Sequence, residues 1–103
     1  MAELLMADQD DALHRLGVAL SDPVRRAVLL RLAEGPDYPA GLAELCQTSR
    51  SNMSNHLACL RGCGLIVAER EGRQIRYEIV SREFAEALTV IASVTLATTC
   101  EQA

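Results

Sequence analysis

The spacing of apolar residues in this chain changes at Gly62 and Gly64, and that change limits the folds available to it. Before the two glycines, apolar residues recur every three or four positions, which is the period of helices that bury one face. After them, Ile75, Tyr77 and Ile79 alternate with other residues, which is the period of a β-strand. We therefore expect an α+β chain that is mostly α, in which helices precede a β-hairpin and one more helix follows it.

The predicted elements fill one domain, residues 1–103, because a chain of 103 residues has room for a single modest core. Terminal helices at 11–20 and 81–99 flank the centre of the chain. Between them, the sequence predicts a helix-turn-helix at 40–62 and a hairpin at 65–80.

Start and stop signals support these helices. Ser21-Asp22-Pro23 combines a capping side chain with a proline in the first helical turn, and Gly35-Pro36 ends the same helix. Ser49 and Ser81 can cap the fourth and last helices. Three residues of the short third helix are predicted to point inward: Leu42, Leu45 and Cys46.

The fourth helix begins with short polar side chains of the kind that read bases in the major groove of DNA. Asparagine can pair with adenine, arginine with guanine, and serine with either base or with phosphate. The chain has a net charge of −4, but residues 50–76 hold five arginines against two glutamates, a net charge of +3. Such a positive segment can contact phosphates while the rest of the chain stays acidic. The predicted DNA-binding residues are Arg50, Ser51, Ser54, Asn55, His56, Arg70, Arg73 and Gln74.

The same polar helix face is also compatible with a solvated surface, or with a site for a partner protein whose binding would not depend on salt. Stacking of unpaired bases is disfavoured because only 3% of the residues are aromatic. The chain has none of the short phosphate-loop, zinc-protease or serine-hydrolase motifs, so no enzyme is predicted. The N-terminus lacks the features of an export signal and no apolar stretch could span a bilayer, so a cytoplasmic protein without membrane contact is predicted.

After the predicted DNA-binding residues, the cysteines are the second group of side chains whose spacing indicates a function. Cys59 and Cys63 lie four positions apart and so share one face of the fourth helix. With Cys100 as a third ligand, their thiolates would suit a thiophilic ion, and Cd(II), Pb(II), As(III) and Zn(II) are all candidates. A redox switch is the competing hypothesis, although a disulfide between positions four apart strains a helix. Cys46 is predicted to be a core residue.

The terminal helices carry more apolar surface than three short helices and a hairpin can cover. We therefore expect a homodimer that buries this surface between two copies. The alternative is that the last helix only covers the core of its own chain. The predicted dimerisation residues are Leu13, Leu16, Phe84, Leu88, Ile91 and Val94.

Four segments of the chain resemble the ArsR/SmtB family of dimeric winged-helix, metal-responsive repressors. They are Leu20–Arg25, Ser54–Leu57, Leu60–Leu65 and Glu71–Tyr77. The resemblance implies a winged helix-turn-helix whose hairpin is the wing, bound as a homodimer to an inverted repeat in double-stranded DNA. The cysteine positions are most similar to a cadmium- and lead-sensing branch, in which the recognition helix supplies two ligands and the C-terminal tail of the other subunit a third. That similarity implies Cys59, Cys63 and Cys100 as the metal ligands, with Cys100 a few residues nearer the helix than in that branch.

Overall fold

The computed structural model describes residues 2–94 and 97, with side chains from residue 8 onward. The elements follow the predicted order of helices, hairpin and a final helix. They are α1 (Ala2–Leu20), α2 (Pro23–Glu34), α3 (Pro39–Leu45), α4 (Arg50–Gly62), β1 (Ile66–Glu71), β2 (Gln74–Ile79) and α5 (Arg82–Ala92). Within the described residues, no helix combines the length and apolar character needed to cross a membrane.

Helix α2 runs through the centre of the fold and packs against α1, α4, α5 and β2. Its N-terminus is capped by Asp22, whose Oδ2 accepts hydrogen bonds from the backbone N–H groups of Val24 at 2.9 Å and Arg25 at 3.1 Å. The core around it is aliphatic, as expected for a chain with so few aromatic residues. Its largest fully buried side chains are Leu29, Leu32, Leu42, Met53, Leu57, Leu60 and Val28.

The C-terminus of α4 closes with a left-handed glycine. Gly64 has a φ of +80° and donates its N–H to the carbonyl of Arg61 at 2.9 Å, while the N–H of Leu65 reaches the carbonyl of Leu60 at 3.1 Å. This pair of bonds is a Schellman motif, and its two leucines are both buried, as such caps favour. The motif ends α4 at Gly62, with Cys63 as the C-cap residue, and it sets the point at which the first strand begins.

Strands β1 and β2 form an antiparallel hairpin in which Glu71 is paired with Gln74, so that Gly72 and Arg73 make the turn. Tyr77, the central residue of the predicted alternating side, is buried against the core. Its backbone also exchanges hydrogen bonds with Asp37, at 2.8 and 3.0 Å. The hairpin is therefore attached to the segment that leads into α3.

Three local expectations are corrected. Helix α1 begins at Ala2 rather than at residue 11, because the preceding segment contains good helix formers and no glycine or proline. Helix α5 ends not at 99 but at Ala92, where the Ser93 hydroxyl donates to the carbonyl of Val90 at 2.7 Å and competes with the backbone hydrogen bonds of the helix. Leu45 is exposed, because it lies about 100° around α3 from the centre of the inward face.

The predicted dimerisation residues divide into two groups. Leu13, Ile91 and Val94 are exposed, at 67%, 52% and 56%. Leu16 and Phe84 are half-buried against the core, and Leu88 is buried in it, with 4% exposure. The place of Leu88 in a seam is therefore corrected: one face of α5 already covers its own protomer, and only its outer face is available to a second copy.

We expect Gly64→Ala to lower the free energy of unfolding by about 1 kcal/mol, because alanine at a positive φ is strained. Gly62→Ala is the matched control: Gly62 is helical, and alanine there should raise stability by up to about 1 kcal/mol. A β-carbon added at either glycine would meet no other atom within 4 Å, so the difference between the variants reports backbone conformation alone. Urea unfolding at one protein concentration measures both variants, and equal effects would contradict the left-handed cap.

Candidate DNA interface and thiol pair

The turn between α3 and α4 sets the direction of the fourth helix. Gln47 takes a left-handed conformation with a φ of +53°, and the N–H of Thr48 returns to the carbonyl of Ala43 at 3.0 Å. Ser49 then caps α4, its Oγ accepting from the N–H of Asn52 at 2.9 Å, as predicted. The side-chain amide of Asn52 donates to the Thr48 hydroxyl at 2.7 Å, which ties the first turn of the helix to the loop.

The first two turns of α4 present a polar face to solvent. Met53, Leu57 and Leu60 are buried on the inner side of the helix. Four of the predicted DNA-binding residues are exposed on its outer side: Arg50, Ser51, Ser54 and Asn55. The buried stripe therefore holds the helix so that its outer face has the side chains that suit a major groove.

The hairpin tip lies beside this face. A groove of about 410 Å³ separates them, and Arg50, Ser51 and Ser54 line one wall. Arg73 and Gln74 from the hairpin line the other wall, with Tyr38 and Pro39 at the start of α3. The structure thus brings together five of the predicted residues from two elements, and adds Tyr38, which no sequence signal indicated.

Two of the three glutamates in the hairpin strands, Glu69 and Glu71, are already engaged by partners. Arg76 contacts Glu69 at 2.9 Å and Glu71 at 3.3 Å, and these carboxylates, led by the Glu69 hydrogen bond, raise the pKa of the guanidinium. The hydroxyl of Tyr38 donates to Glu71 at 2.7 Å, which raises the pKa of the phenol. Among the described residues, no ion pair involves the exposed Arg70 or Arg73, the two arginines nearest the tip.

The structure does not place His56 on the outer face of α4. Its side chain is 15% exposed, and its Nδ1 lies 3.7 Å from Oδ2 of Asp22 and 3.5 Å from Nη1 of Arg25. The ring therefore faces the N-terminus of α2. This placement removes His56 from the group that could read bases, and the cause is a contact between residues 31 positions apart that helical spacing does not reveal.

Cys59 and Cys63 lie at the opposite end of α4 from the polar face, and both are half-buried free thiols. Burial raises the pKa of the Cys63 thiol above its usual value of 9.0, and the neighbouring Cys59 raises it further by charge repulsion and hydrogen bonding. The charges of Arg15 and Arg25 act in the opposite direction. Cys59 and Cys63 are therefore close neighbours on one side of α4, which a shared ion would require.

Two adjacent sulfur donors fit a thiophilic ion but do not complete its coordination. In the part of the chain that the structure describes, no three His, Cys, Asp or Glu side chains form a metal-binding group. Cys100, the predicted third ligand, lies outside the described residues. Cys46 is half-buried against the core, as predicted, and its burial raises the pKa of its thiol.

Comparison with known proteins assigns the chain to a family. The pattern described as bacterial regulatory protein, arsR family, matches residues 22–67, from the cap of α2 into β1. The transcriptional regulator CmtR of Mycobacterium tuberculosis is 49% identical over 94 residues, which are 91% of this chain and 80% of that protein. The chain belongs to the ArsR family. CmtR of Mycobacterium bovis matches this ArsR-family chain to the same extent.

Two solved structures agree with this assignment. The NMR structure of the cadmium metal-sensor CmtR from Mycobacterium tuberculosis has a TM-score of 0.68, covering 87% of this chain and 94% of that one. A homodimeric winged helix-turn-helix DNA-binding domain from Mycobacterium bovis, 28% identical, has a TM-score of 0.77 and covers 84% and 81% of the two chains. The predicted winged helix-turn-helix is confirmed, with α3 and α4 as its helices and the hairpin as its wing. The protein is a DNA-binding transcriptional regulator of the ArsR family.

The raised pKa of Cys63 predicts slow alkylation. The thiolate is the reactive form, so at any pH below its pKa the folded protein should react with iodoacetamide more slowly than the unfolded chain. The folded rate should keep rising above pH 9.0, the usual value for this group. Cys59→Ser is the informative variant, because losing the neighbouring thiol should shift the Cys63 profile to lower pH. Peptide mass spectrometry over a pH series measures it, and a folded midpoint at or below 9.0 would contradict the assigned environment.

Proposed function

We propose that the protein is a repressor that leaves its operator when a thiophilic metal ion binds Cys59 and Cys63. The observation that carries the proposal is the arrangement of α4. One end of this helix presents the polar face beside the wing, and the other end holds two half-buried thiols that are close enough for Cys59 to raise the pKa of Cys63. A ligand at the thiols therefore acts on the same rigid element that would read DNA.

The proposed effector is a soft cation, because two cysteine sulfurs are the donors offered. Cd(II) is the first candidate, supported by the 49% identity to a cadmium metal-sensor, and Pb(II) shares its preference for sulfur. As(III) and Zn(II) are the alternatives. We propose Cys100 as the third ligand, supplied by the same protomer or by its partner. Such a site needs reduced thiols, which suits a regulator that works in the cytoplasm.

The proposed DNA complex is that of a symmetric dimer on an inverted repeat. Two copies of α4 would enter successive major grooves about 34 Å apart. Arg50, Ser51, Ser54 and Asn55 would contact bases and adjacent phosphates. From the wing, Arg70, Arg73 and Gln74 would contact the backbone or the minor groove.

The proposed dimer seam lies on the outer faces of α1 and α5. Leu13, Ile91 and Val94 are exposed there, and Val90 extends the same apolar surface. Leu16 and Phe84 support these residues from behind, in contact with the core. Burial of this surface between two copies would remove a contiguous apolar patch from water.

The proposed release follows from the dependence of DNA affinity on the spacing of the two α4 helices. A metal ion that joins α4 to the C-terminal segment would favour a dimer in which that spacing no longer matches the two half-sites. A coupling free energy of about 3 kcal/mol corresponds to an affinity loss of about 150-fold, which lies at the upper end of ordinary ligand coupling.

Cys59→Ser tests the metal response. We expect the variant to keep metal-free operator binding and to lose release by Cd(II), with an affinity change below about threefold in place of about 150-fold. Fluorescence anisotropy measures this on a duplex selected from random DNA with the metal-free protein. Cys46→Ser is the control, because that thiol packs on the core, and it should respond to Cd(II) like the parent. Unchanged release in Cys59→Ser would refute the proposed site, and release by peroxide without metal would favour the redox alternative.

Arg73→Gln tests the wing contact. We expect the affinity of this variant to fall equally for the operator and for other DNA sequences. The slope of log affinity against log salt concentration should become shallower by about 1, because one phosphate contact is lost. Arg82→Gln is the matched control: it also removes one exposed arginine, but at the start of α5 beside the C-terminus of α2. Titrations at several salt concentrations measure both slopes. If the slope became shallower in Arg82→Gln and stayed unchanged in Arg73→Gln, the proposed contact between the wing and DNA would be wrong.

A further inference from the structure

Arg25, in the first turn of α2, connects three helices. Its Nη2 donates to the carbonyl of Val18 at 2.8 Å, and its Nε donates to the carbonyl of Ala19 at 3.2 Å, both near the C-terminus of α1. Its Nη1 lies 3.5 Å from Nδ1 of His56 in α4. One planar guanidinium thus spans from the end of the first helix to the middle of the recognition helix.

One nitrogen of the His56 ring, Nδ1, lies close to both Arg25 and Asp22. Asp22, whose Oδ2 caps α2, lies 3.7 Å from the ring nitrogen that faces Arg25. Since its side chain is 15% exposed, the ring has little room to move independently of α4. Cys59 follows His56 after one helical turn, and Cys63 follows after one more. If the end of α4 that carries the cysteines moves, the His56 ring and Arg25 would therefore move with it.

We propose that Arg25 is the positioning residue that transmits metal occupancy of the thiol pair from α4 to α1. This inference rests on the proposed function and adds the route by which the metal changes the dimer. The guanidinium is rigid and is bonded to two consecutive carbonyls of α1, so movement of His56 is passed to that helix instead of being absorbed by a flexible side chain. Helix α1 carries Leu13 and Leu16 of the proposed seam, so a shift at its C-terminal end alters how two copies meet.

The neighbouring arginine provides a natural comparison. Arg26 donates from Nη1 to the carbonyl of Leu20 at 2.7 Å, so it binds the same end of α1. Among the described contacts it has none with α4. The two residues therefore share charge, size and one helix terminus, and they differ in the connection to His56.

The test measures coupling, defined as the ratio of operator affinities without and with Cd(II), by fluorescence anisotropy. We expect Arg25→Gln to reduce this ratio by about tenfold or more, within the usual range of ligand coupling. The thiolate-to-cadmium ultraviolet absorption should keep its stoichiometry, which a collapsed site would not. Arg26→Gln should keep the parental ratio. Arg25→Lys should show the same reduced ratio as Arg25→Gln, because the single ammonium of lysine keeps the charge but cannot span two carbonyls and the ring.

His56→Gln tests the same connection from the other end, and it decides the question if Arg25→Gln does not fold. It should reduce coupling to a similar extent, and the double variant should lose no more than either single one, because both belong to one path. Parental coupling in Arg25→Gln or in His56→Gln, or full recovery in Arg25→Lys, would overturn the inference. If Cd(II) did not release the parent protein from DNA, the proposed function itself would be wrong. Failure of the proposed function is therefore distinguishable from failure of the inference about Arg25.

Discussion

Burial of one stripe of α4 is the interaction on which both functional ends of the molecule depend. Met53, Leu57 and Leu60 belong to the core that α4 shares with α2, α3 and β1. Because residues four apart lie on one side of a helix, burying this stripe leaves the serines and asparagine of the first turns facing outward. It also places Cys59 and Cys63 at the edge of the core, half-buried and one helical turn apart. One packing choice thus orients a DNA-facing surface and a sulfur pair together.

The elements that could be predicted from sequence are those with local causes. The caps at Ser49 and Ser81 and the turn at Gly72 form bonds within a few residues, so short patterns reveal them. Spacing alone misplaces His56 and Leu88, because the contacts that decide their orientation join distant segments. Helical spacing predicts the direction of a side chain around the helix only to within a quarter turn. A difference of that size decides whether a histidine reads bases or contacts Asp22 and Arg25.

The charge count anticipates the basic surface only in part. It identifies a positive segment in an acidic chain, but it does not say which arginines lie free of acidic partners. In the structure, Arg76 contacts two of the three wing glutamates, Glu69 and Glu71, and Tyr38 donates to Glu71. This arrangement uses one arginine to screen two carboxylates from DNA. The repulsion that Glu69 and Glu71 would exert on phosphates is thereby weakened, which a sum of charges does not show.

The position of the thiols at the end of a helix has a consequence for the proposed sensing. The C-terminal end of an α-helix carries about half a negative charge, which disfavours anions placed there. Cys63 caps α4 at this end, and its raised pKa shows that the neutral thiol is favoured. The neutral Cys63 thiol adds no negative charge to this end of the helix. In the proposed function, a soft cation bound by the thiols would displace their protons and would supply the positive charge that the helix terminus favours. Metal binding would thus change both the electrostatics of α4 and its ligation, and we propose that Arg25 responds to both, because its charge acts on Cys63 and its Nη1 contacts His56.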